Sequence, residues 1–431
     1  MMTVSSSISW FLFFALAFFA GTAFHFYLVQ PALKMTAWLA GMLLAIFGLL
    51  VLAYFSFRGW DLVTAGLGFY CFFLLGYLLA NRAFLQPRRQ PVSRVLQRAA
   101  RNAGDGHLAL VVVAQGEPQA YDPGPWLDAF YEFDRDNVPY VPRPLRPFFL
   151  ARRRREYLEL GGSFHNKVQQ HIFEKLKKAV QPDLPAGTRS YLSFLDVDPR
   201  PQAALVRALN DGASAVLLAP VCLAESALTR KVWESAQSVL PAVEPPASGV
   251  RLGMTAPLWD SRPLVELFLR RAEGVRLGCD RSKLGFVLVG QGQPLEWDHK
   301  FPVQAEQETH FRQEVARRLI EAGYPRSNIL LAWSEFKEPG VAATLEKLAT
   351  RRLEKILVFP VFESADSLAC EVHLLRQAAQ AQLPSGLQVI HMGAWGEDAL
   401  VIEALRQKIL EAYEKMIPEH LADHGVPEEI S

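Results

Sequence analysis

The chain has 431 residues, half of them hydrophobic, and its 45 basic and 44 acidic side chains leave a formal net charge of +1. This balance excludes a dedicated nucleic-acid binder, which needs an excess of Lys and Arg to neutralise phosphates. Residues 1–80 contain only three charged side chains, Lys34, Arg58 and Asp61. The composition therefore predicts a short lipid-soluble segment followed by an ordinary water-soluble one.

Three apolar runs occupy the first segment: Ile8–Val29, Met35–Phe57 and Leu62–Ala80. As helices, each is long enough to cross about 30 Å of hydrocarbon. The third run is the weakest, so two spans with an interfacial third segment are an alternative. We expect a membrane anchor of about three helices over residues 1–82 and a basic juxtamembrane linker over residues 83–106.

Basic residues are concentrated after the third run, where six arginines lie between Ala80 and Asn102, whereas none precedes Lys34. Because positive charge stays on the cytoplasmic side, this asymmetry predicts a multi-pass protein of the cytoplasmic (inner) membrane with its soluble part in the cytoplasm. Membrane lipid is thus an expected partner, and the Arg-rich linker could also lie along anionic lipid.

From His107 onward, short β-type runs alternate with helical patterns, which is typical of parallel sheets built from βαβ units. The same series occurs twice. Each half opens with a buried-strand run and a Gln-Gly-x-Pro turn, in Leu108–Pro118 and again in Leu284–Pro294. An amphipathic stretch and a second strand follow in each half. They cover Asn166–Val180 and Ser190–Leu195 in the first half, and Gln304–Ala322 and Asn328–Trp333 in the second.

The later parts of the two halves also match in spacing. Pro199 and Pro339 each lead a helical pattern, and each is followed 21 residues later by a proline that ends an apolar run, Pro220 or Pro360. A Gly…Trp…Val series closes both halves, at Gly249, Trp259 and Val265 and at Gly386, Trp395 and Val401.

The repeat predicts an α/β fold with two similar Rossmann-like lobes, over residues 107–283 and 284–415, before a polar tail over 416–431. Open α/β sheets bind ligands at the carboxyl ends of their strands. We therefore expect a cleft between the lobes, lined by the loops after Ala114, Pro220, Gly290 and Pro360.

Several segments resemble the ferrochelatase family: the Gln115–Pro118 turn, Pro142–Pro147, Tyr157–Ser163, Gly290–Pro294 and the acidic helix after Pro360. The resemblance covers roughly residues 107–412 and depends more on order and spacing than on identity. It implies two lobes of chelatase type that insert ferrous iron into a porphyrin during haem biosynthesis. The implied partners are a porphyrin or other tetrapyrrole and a divalent metal. Fe²⁺ is the substrate metal, and no separate cofactor is firmly implied.

Carried over residue by residue, the resemblance implies catalytic positions at Gln291, Ser367 and Glu371. The family has a His in the second-lobe turn where this chain has Gln291, which is neutral at every pH and cannot act as a base. Ser367 aligns with the glutamate that opens the acidic helix, whereas Glu371 matches an acidic position one turn on. Glu371 and His373 are the candidate metal ligands, with a solvated Glu371 and a structural His373 as the alternatives.

The resemblance also implies porphyrin contacts at Gln115, Pro118, Tyr121, Ser163, Phe164 and Pro294. The two turn glutamines could instead cap the helices that follow them. His165 and His299 lie in loops near the expected cleft and could compensate for the missing His.

Three functions remain open at this point. The first is a membrane-anchored, ferrochelatase-like enzyme. The second is a non-catalytic tetrapyrrole- or haem-binding or interaction protein, which is favoured by Gln291, Ser334 and Ser367 in place of the family's usual residues. The third is a chelatase for another metal or another tetrapyrrole.

Overall fold

The computed structural model describes residues 4–57, 60–84, 106–241, 249–276 and 278–416. The chain divides into two compact units, Met1–Gln90 with Ala120–Gly162 and Pro91–Gln119 with Ser163–Ser431. Most of the basic linker expected over 83–106 and of the polar tail expected over 416–431 lies outside the described residues.

The first unit begins with three apolar helices, α1 (Val4–Val29), α2 (Ala32–Ser56) and α3 (Trp60–Phe84). Within the described residues, three segments are long and apolar enough to cross a membrane: Ser7–Val29, Ala32–Ser56 and Asp61–Phe84. The third continues one turn beyond Ala80, where the apolar run ends. Helix α1 packs closely on α3 because a Cβ atom at Gly21 would lie 1.9 Å from the carbonyl oxygen of Phe73. Such glycine contacts are how membrane helices approach each other.

The same unit contains two helices from the stretch that follows the first strand, α4 (Gly124–Arg135) and α5 (Arg146–Leu160). The Tyr121 hydroxyl donates to the carbonyl oxygen of Val29 at 3.1 Å. The Arg154 guanidinium donates to the carbonyl oxygens of Tyr27 and Gln30 at 2.6 and 2.8 Å. The last carbonyls of a helix have no partner within it, so these side chains satisfy the C-terminal end of α1.

The described part of the second unit contains two four-stranded parallel sheets, ordered β2-β1-β3-β4 and β6-β5-β7-β8. The strands are β1 (Leu108–Ala114), β2 (Arg189–Phe194), β3 (Ala215–Pro220), β4 (Arg251–Met254), β5 (Leu284–Gly290), β6 (Ile329–Trp333), β7 (Lys355–Pro360) and β8 (Gln388–His391). The helices are α6 (His165–Val180), α7 (Pro201–Asn210), α8 (Ala227–Val239), α9 (Arg262–Val275), α10 (Leu295–Asp298), α11 (Val303–Glu321), α12 (Val341–Ala349), α13 (Leu368–Gln380) and α14 (Ala399–Met416).

The central strands β1 and β5 are buried at every position. Strands covered on both faces are continuous apolar runs, and these two have the bounds that their sequences predict. The two sheets also share their register, since Leu108 pairs with Ala215 as Leu284 pairs with Lys355. The predicted α/β fold, with two similar lobes preceded by apolar helices, is confirmed.

The repeat extends to the buried faces of α6 and α11. Their buried positions have identical spacing: His165, Gln169, Ile172, Phe173, Leu176 and Val180 in α6, and Gln304, Glu308, Phe311, Arg312, Val315 and Leu319 in α11. The first two members are polar in both helices. One apolar cluster contains side chains of both lobes, among them Leu110, Leu217, Leu288, Phe359 and Trp395. The two lobes therefore share a core.

Candidate functional site

A small cavity of about 40 Å³ lies where the turns after β1, β3, β5 and β7 meet. It is lined by Gln115, Val221, Cys222, Leu223, Ala224, Ser226, Leu228, Gln291, Gln304, Glu308, Phe362, Glu363 and Ser364. Each of the four predicted loops contributes, because parallel strands bring their carboxyl ends to one edge. The four loops that the repeat places at the expected cleft therefore meet here.

Gln115 and Gln291 occupy equivalent turns, and both line the cavity. The Gln291 backbone N–H donates to Oε2 of Glu308 at 2.8 Å. The carbonyl oxygen of Gln115 lies 3.1 Å from Nε2 of His165. A polar side chain, His165 of α6 or Glu308 of α11, thus contacts the backbone of each turn. The side chains of the two glutamines are exposed to solvent.

Glu308 and Arg312 form a buried polar pair behind the second turn. Burial raises the pKa of Glu308, although hydrogen bonds from Gln304 and the turn oppose the rise. The Arg312 guanidinium donates to the carbonyl oxygen of Ala332 at 2.6 Å and stacks 3.8 Å from the Trp333 ring centroid. The sequence analysis did not identify this pair. A signal was present, because Gln304, Glu308 and Arg312 are spaced four apart along the buried face of α11.

Glu363 is the second buried carboxyl that lines the cavity, in addition to Glu308. It follows the end of β7, and burial raises its pKa from 4.5 to about 8, with the charges of Glu117 and Asp366 acting in the same direction. Val221 and Val361 are equivalent positions of the two lobes, because their N–H groups donate to matching carbonyls of β1 and β5. Two residues further on, the first lobe has Leu223 and the second has Glu363. A carboxyl group that titrates near neutral pH in a cleft is a functional candidate. Sequence reasoning passed over it because the resemblance aligns Ser367, and not Glu363, with the glutamate that opens the family's acidic helix.

Three polar contacts bridge the lobes beside the cavity. Oε2 of Glu117 accepts from the Ser163 hydroxyl and, at 2.9 Å, from the Leu368 N–H. Nδ1 of His165 lies 3.0 Å from the carbonyl oxygen of Ala365. The Gln169 amide donates to the Ser364 hydroxyl at 2.7 Å, with both groups buried.

These bridges keep the cleft narrow. Ligand pockets that enclose an organic molecule are usually about 300 Å³ or larger. The cavity of about 40 Å³ is far smaller, so it has room for an ion or a few water molecules. A flat macrocycle could enter only if the lobes moved apart.

The predicted catalytic residues of the acidic helix have different surroundings, and one of them, Ser367, hydrogen-bonds the Glu363 carboxyl. The Ser367 hydroxyl accepts from the Cys370 N–H at 3.2 Å and caps the N-terminus of α13. Glu371 is exposed in the first turn. Nε2 of His373 lies 2.9 Å from the carbonyl oxygen of Ser334. The described residues contain no group of three or more His, Cys, Asp or Glu side chains arranged to hold a metal ion.

The remaining predicted contacts have varied surroundings. Ser163 is buried beside Glu117, whereas Phe164 is exposed immediately before α6. Pro118 is half-buried, Pro294 is buried at the start of α10, and His299 is exposed at its end. Tyr121 belongs to the first unit, where its hydroxyl binds the end of α1. Among the predicted residues, Gln115 and Gln291 line the cavity.

Comparison with known proteins relates the second lobe to a chelatase family. The model of the CbiX family matches residues 305–412. None of the curated proteins compared with the chain matches it. Among solved structures, SirB from Bacillus subtilis with Fe³⁺ is similar, with 13% identity, a TM-score of 0.44, and coverage of 74% of this chain and 98% of SirB.

Two other solved structures are also similar. The CbiX structure is described as the terminal enzyme of sirohaem biosynthesis in denitrifying bacteria; it has 16% identity and a TM-score of 0.43, over 70% of this chain and 98% of CbiX. The multi-domain protein DR2241 from Deinococcus radiodurans has 16% identity and a TM-score of 0.42, over 70% of this chain and 55% of DR2241. The family model that matches within the second lobe is the CbiX model.

Proposed function

We propose that the protein is a membrane-anchored metal chelatase that inserts a divalent metal, ferrous iron in the first instance, into a tetrapyrrole held between the two lobes. The observation that carries the proposal is the buried carboxyl of Glu363, whose pKa is about 8, at the meeting point of the strand ends. The CbiX match over residues 305–412 supports the reaction class. A porphyrin is the first substrate to test, and sirohydrochlorin, the tetrapyrrole named for SirB, is the second.

The reaction needs a proton acceptor and a path for a desolvated cation, because metallation removes two N–H protons from the macrocycle. At neutral pH the Glu363 carboxyl is largely protonated. Its ionised fraction can accept one pyrrole proton and pass it to solvent water, and the second pyrrole proton is likewise released to water. The exposed amides of Gln115 and Gln291 can donate hydrogen bonds to the acidic side groups of the tetrapyrrole.

The direct test uses the purified full-length chain in detergent, with Fe²⁺ or Zn²⁺ added to protoporphyrin or sirohydrochlorin and metallation followed by absorbance. We expect turnover that Glu363→Gln lowers by at least about tenfold, as is usual for loss of a general base. The matched control, Glu234→Gln, changes an exposed carboxylate on α8 and should leave the rate unchanged. No metallation of either tetrapyrrole by either metal would overturn the proposal.

A non-catalytic tetrapyrrole-binding protein is the second candidate. It is favoured by Gln291 in the turn where a base is expected and by the lack, among described residues, of a three-ligand metal group. It predicts tetrapyrrole binding with a Kd of about 1 μM or tighter, equivalent to about −8 kcal/mol, without turnover. Titration that detects no binding of any tetrapyrrole would eliminate it.

For the location, we propose a multi-pass protein of the cytoplasmic membrane with both lobes in the cytoplasm. The arginines that follow the third apolar helix support this orientation. A reporter enzyme that is active only in the cytoplasm, fused after Ser431, should be active. Activity of a reporter specific for the opposite side would reverse the orientation.

A further inference from the structure

Helix α5 and the residues just before it expose a mixture of apolar and basic side chains. Leu145 is 54% exposed and Phe148 is 47% exposed. The Arg152 side chain is 59% exposed, and Arg155 is exposed as well. Positions 148, 152 and 155 follow helical spacing and therefore lie on one face of α5.

The apolar end of this face lies beside the apolar helices, well inside their ends. The Phe148 ring centroid is 6.1 Å from that of Phe24 in α1 and 6.3 Å from that of Tyr77 in α3. Along the helix axis, Phe24 lies about 7 Å before Val29, the last residue of α1. The 23 residues of Ser7–Val29 extend for about 34 Å, a little more than the hydrocarbon thickness, so Phe148 lies at the depth of the lipid tails.

The basic end of the face lies where α1 ends. Arg154 donates to the carbonyl oxygens of Tyr27 and Gln30, which places this turn of α5 beside the C-terminus of α1. Its neighbours Arg152 and Arg155 are therefore at the level of the lipid headgroups. Residues 143–160 contain six arginines and two glutamates, so the segment is strongly positive.

We infer that residues 143–155 form a membrane-docking wedge whose occupant is anionic phospholipid in the leaflet where α1 and α3 end. Leu145 and Phe148 insert among acyl chains, while Arg152 and Arg155 bind the phosphates. Charge complementarity and continuity with the apolar helices carry the assignment. It depends on these helices spanning a membrane, and it is independent of whether the lobes catalyse metal insertion.

Depth is tested by photo-crosslinking of the full-length protein in nanodiscs that mix phosphatidylglycerol with phosphatidylcholine. Benzoylphenylalanine is introduced at position 148 or, as the matched control, at Phe336, which is 44% exposed in the second unit. We expect phospholipid adducts at position 148 and none at position 336. No lipid adduct at position 148, or equal yields at both positions, would overturn the wedge.

The preference for anionic headgroups is tested by gentle detergent extraction of the protein. The measured quantity is the ratio of phosphatidylglycerol to phosphatidylcholine that stays bound to it. The double variant R152Q/R155Q should lower this enrichment by about tenfold. R152K/R155K should keep it, and R230Q, which removes a similarly exposed and similarly paired arginine from α8, should leave it unchanged. Unchanged enrichment in R152Q/R155Q would refute the binding of anionic headgroups.

Discussion

Burial of the Glu363 carboxyl favours its protonated form over its ionised form. Its folded-state pKa of about 8 lies above the ordinary 4.5, so the native state holds the proton more tightly than the unfolded chain does. The free energy of unfolding therefore falls as pH rises from about 4.5 to about 8 and stays level above that range. Glu363→Gln removes this loss and should stabilise the protein above pH 8, by up to about 5 kcal/mol.

Thermal unfolding of the wild type and of Glu363→Gln across this pH range measures the effect. The two proteins should have similar Tm values below pH 4.5 and should diverge as pH rises. Glu371→Gln changes an exposed carboxylate in the first turn of α13. Its Tm should follow that of the wild type at every pH. A constant Tm difference between the wild type and Glu363→Gln at every pH would contradict a buried, titrating carboxyl.

At the scale of residues, the sequence could predict positions in turns but not their surroundings. Gln115 and Gln291 were predicted from matching turns, and both line the cavity. The raised pKa of Glu363 could not be predicted, because it depends on burial in the packed lobes and on the charge of Glu117, far away in the chain. A sequence shows that a residue is acidic, but its desolvation is a property of the packed lobes.

Among the elements, the turn after β5 depends on Gly292. Its φ is +80°, and a Cβ atom there would lie 2.2 Å from the carbonyl oxygen of Glu335. Gly292→Ala should therefore lower the free energy of unfolding by more than about 3 kcal/mol, since backbone must move. Gly386 is the control, because its φ of +95° is similar and its surroundings are open.

Gly386→Ala isolates the cost of the left-handed backbone conformation, about 1 kcal/mol. Urea unfolding of both variants gives the difference, which is the contribution of the close approach between the turn and Glu335. Equal destabilisation by the two substitutions would mean that the turn has room for a side chain.

The N-terminus of α13 distinguishes capping from catalysis. Ser367 caps this helix through the Cys370 N–H as Ser261 caps α9 through the Leu264 N–H. Ser367→Ala and Ser261→Ala should each lower the free energy of unfolding by about 1 kcal/mol. If the hydrogen bond from Ser367 to Glu363 has no catalytic role, both variants keep the tetrapyrrole affinity and any metallation rate of the wild type. A selective loss in Ser367→Ala would restore its proposed catalytic role.

Element boundaries were largely predictable because hydrophobic periodicity is local. The strands β1 and β5 have the predicted bounds, and α6 begins one residue earlier than predicted. The position of α4 and α5 could not be predicted in this way. It depends on Tyr121 and Arg154 satisfying carbonyl groups at the end of α1, more than ninety residues earlier in the chain.

For the molecule as a whole, the shared core and the bridged cleft have opposite consequences. Apolar side chains of both sheets form one cluster, so the two lobes cannot separate completely without exposing it. The bridges from Glu117, His165 and Gln169 lie at the cleft and can break without disturbing that cluster. We therefore propose opening at this edge as the motion that would admit a macrocycle.

Removing a bridge should then favour the open state. A ligand that binds only the open state has an apparent affinity proportional to the open fraction. Gln169→Ala removes the hydrogen bond to Ser364, worth about 1 kcal/mol, and should tighten tetrapyrrole binding by about fivefold. Gln202→Ala is the matched control, because it removes a bond of the same kind, to Ser235, within the first lobe.

Hydrogen exchange measures the equilibrium between the closed and the open cleft in the absence of ligand. The Leu368 amide, which donates to Glu117 across the cleft, should exchange faster in Gln169→Ala than in the wild type, again by about fivefold, and should be unaffected in Gln202→Ala. Faster exchange without tighter binding would mean that the cleft opens but does not accept tetrapyrroles. Unchanged exchange would mean that the Gln169 bridge does not control opening.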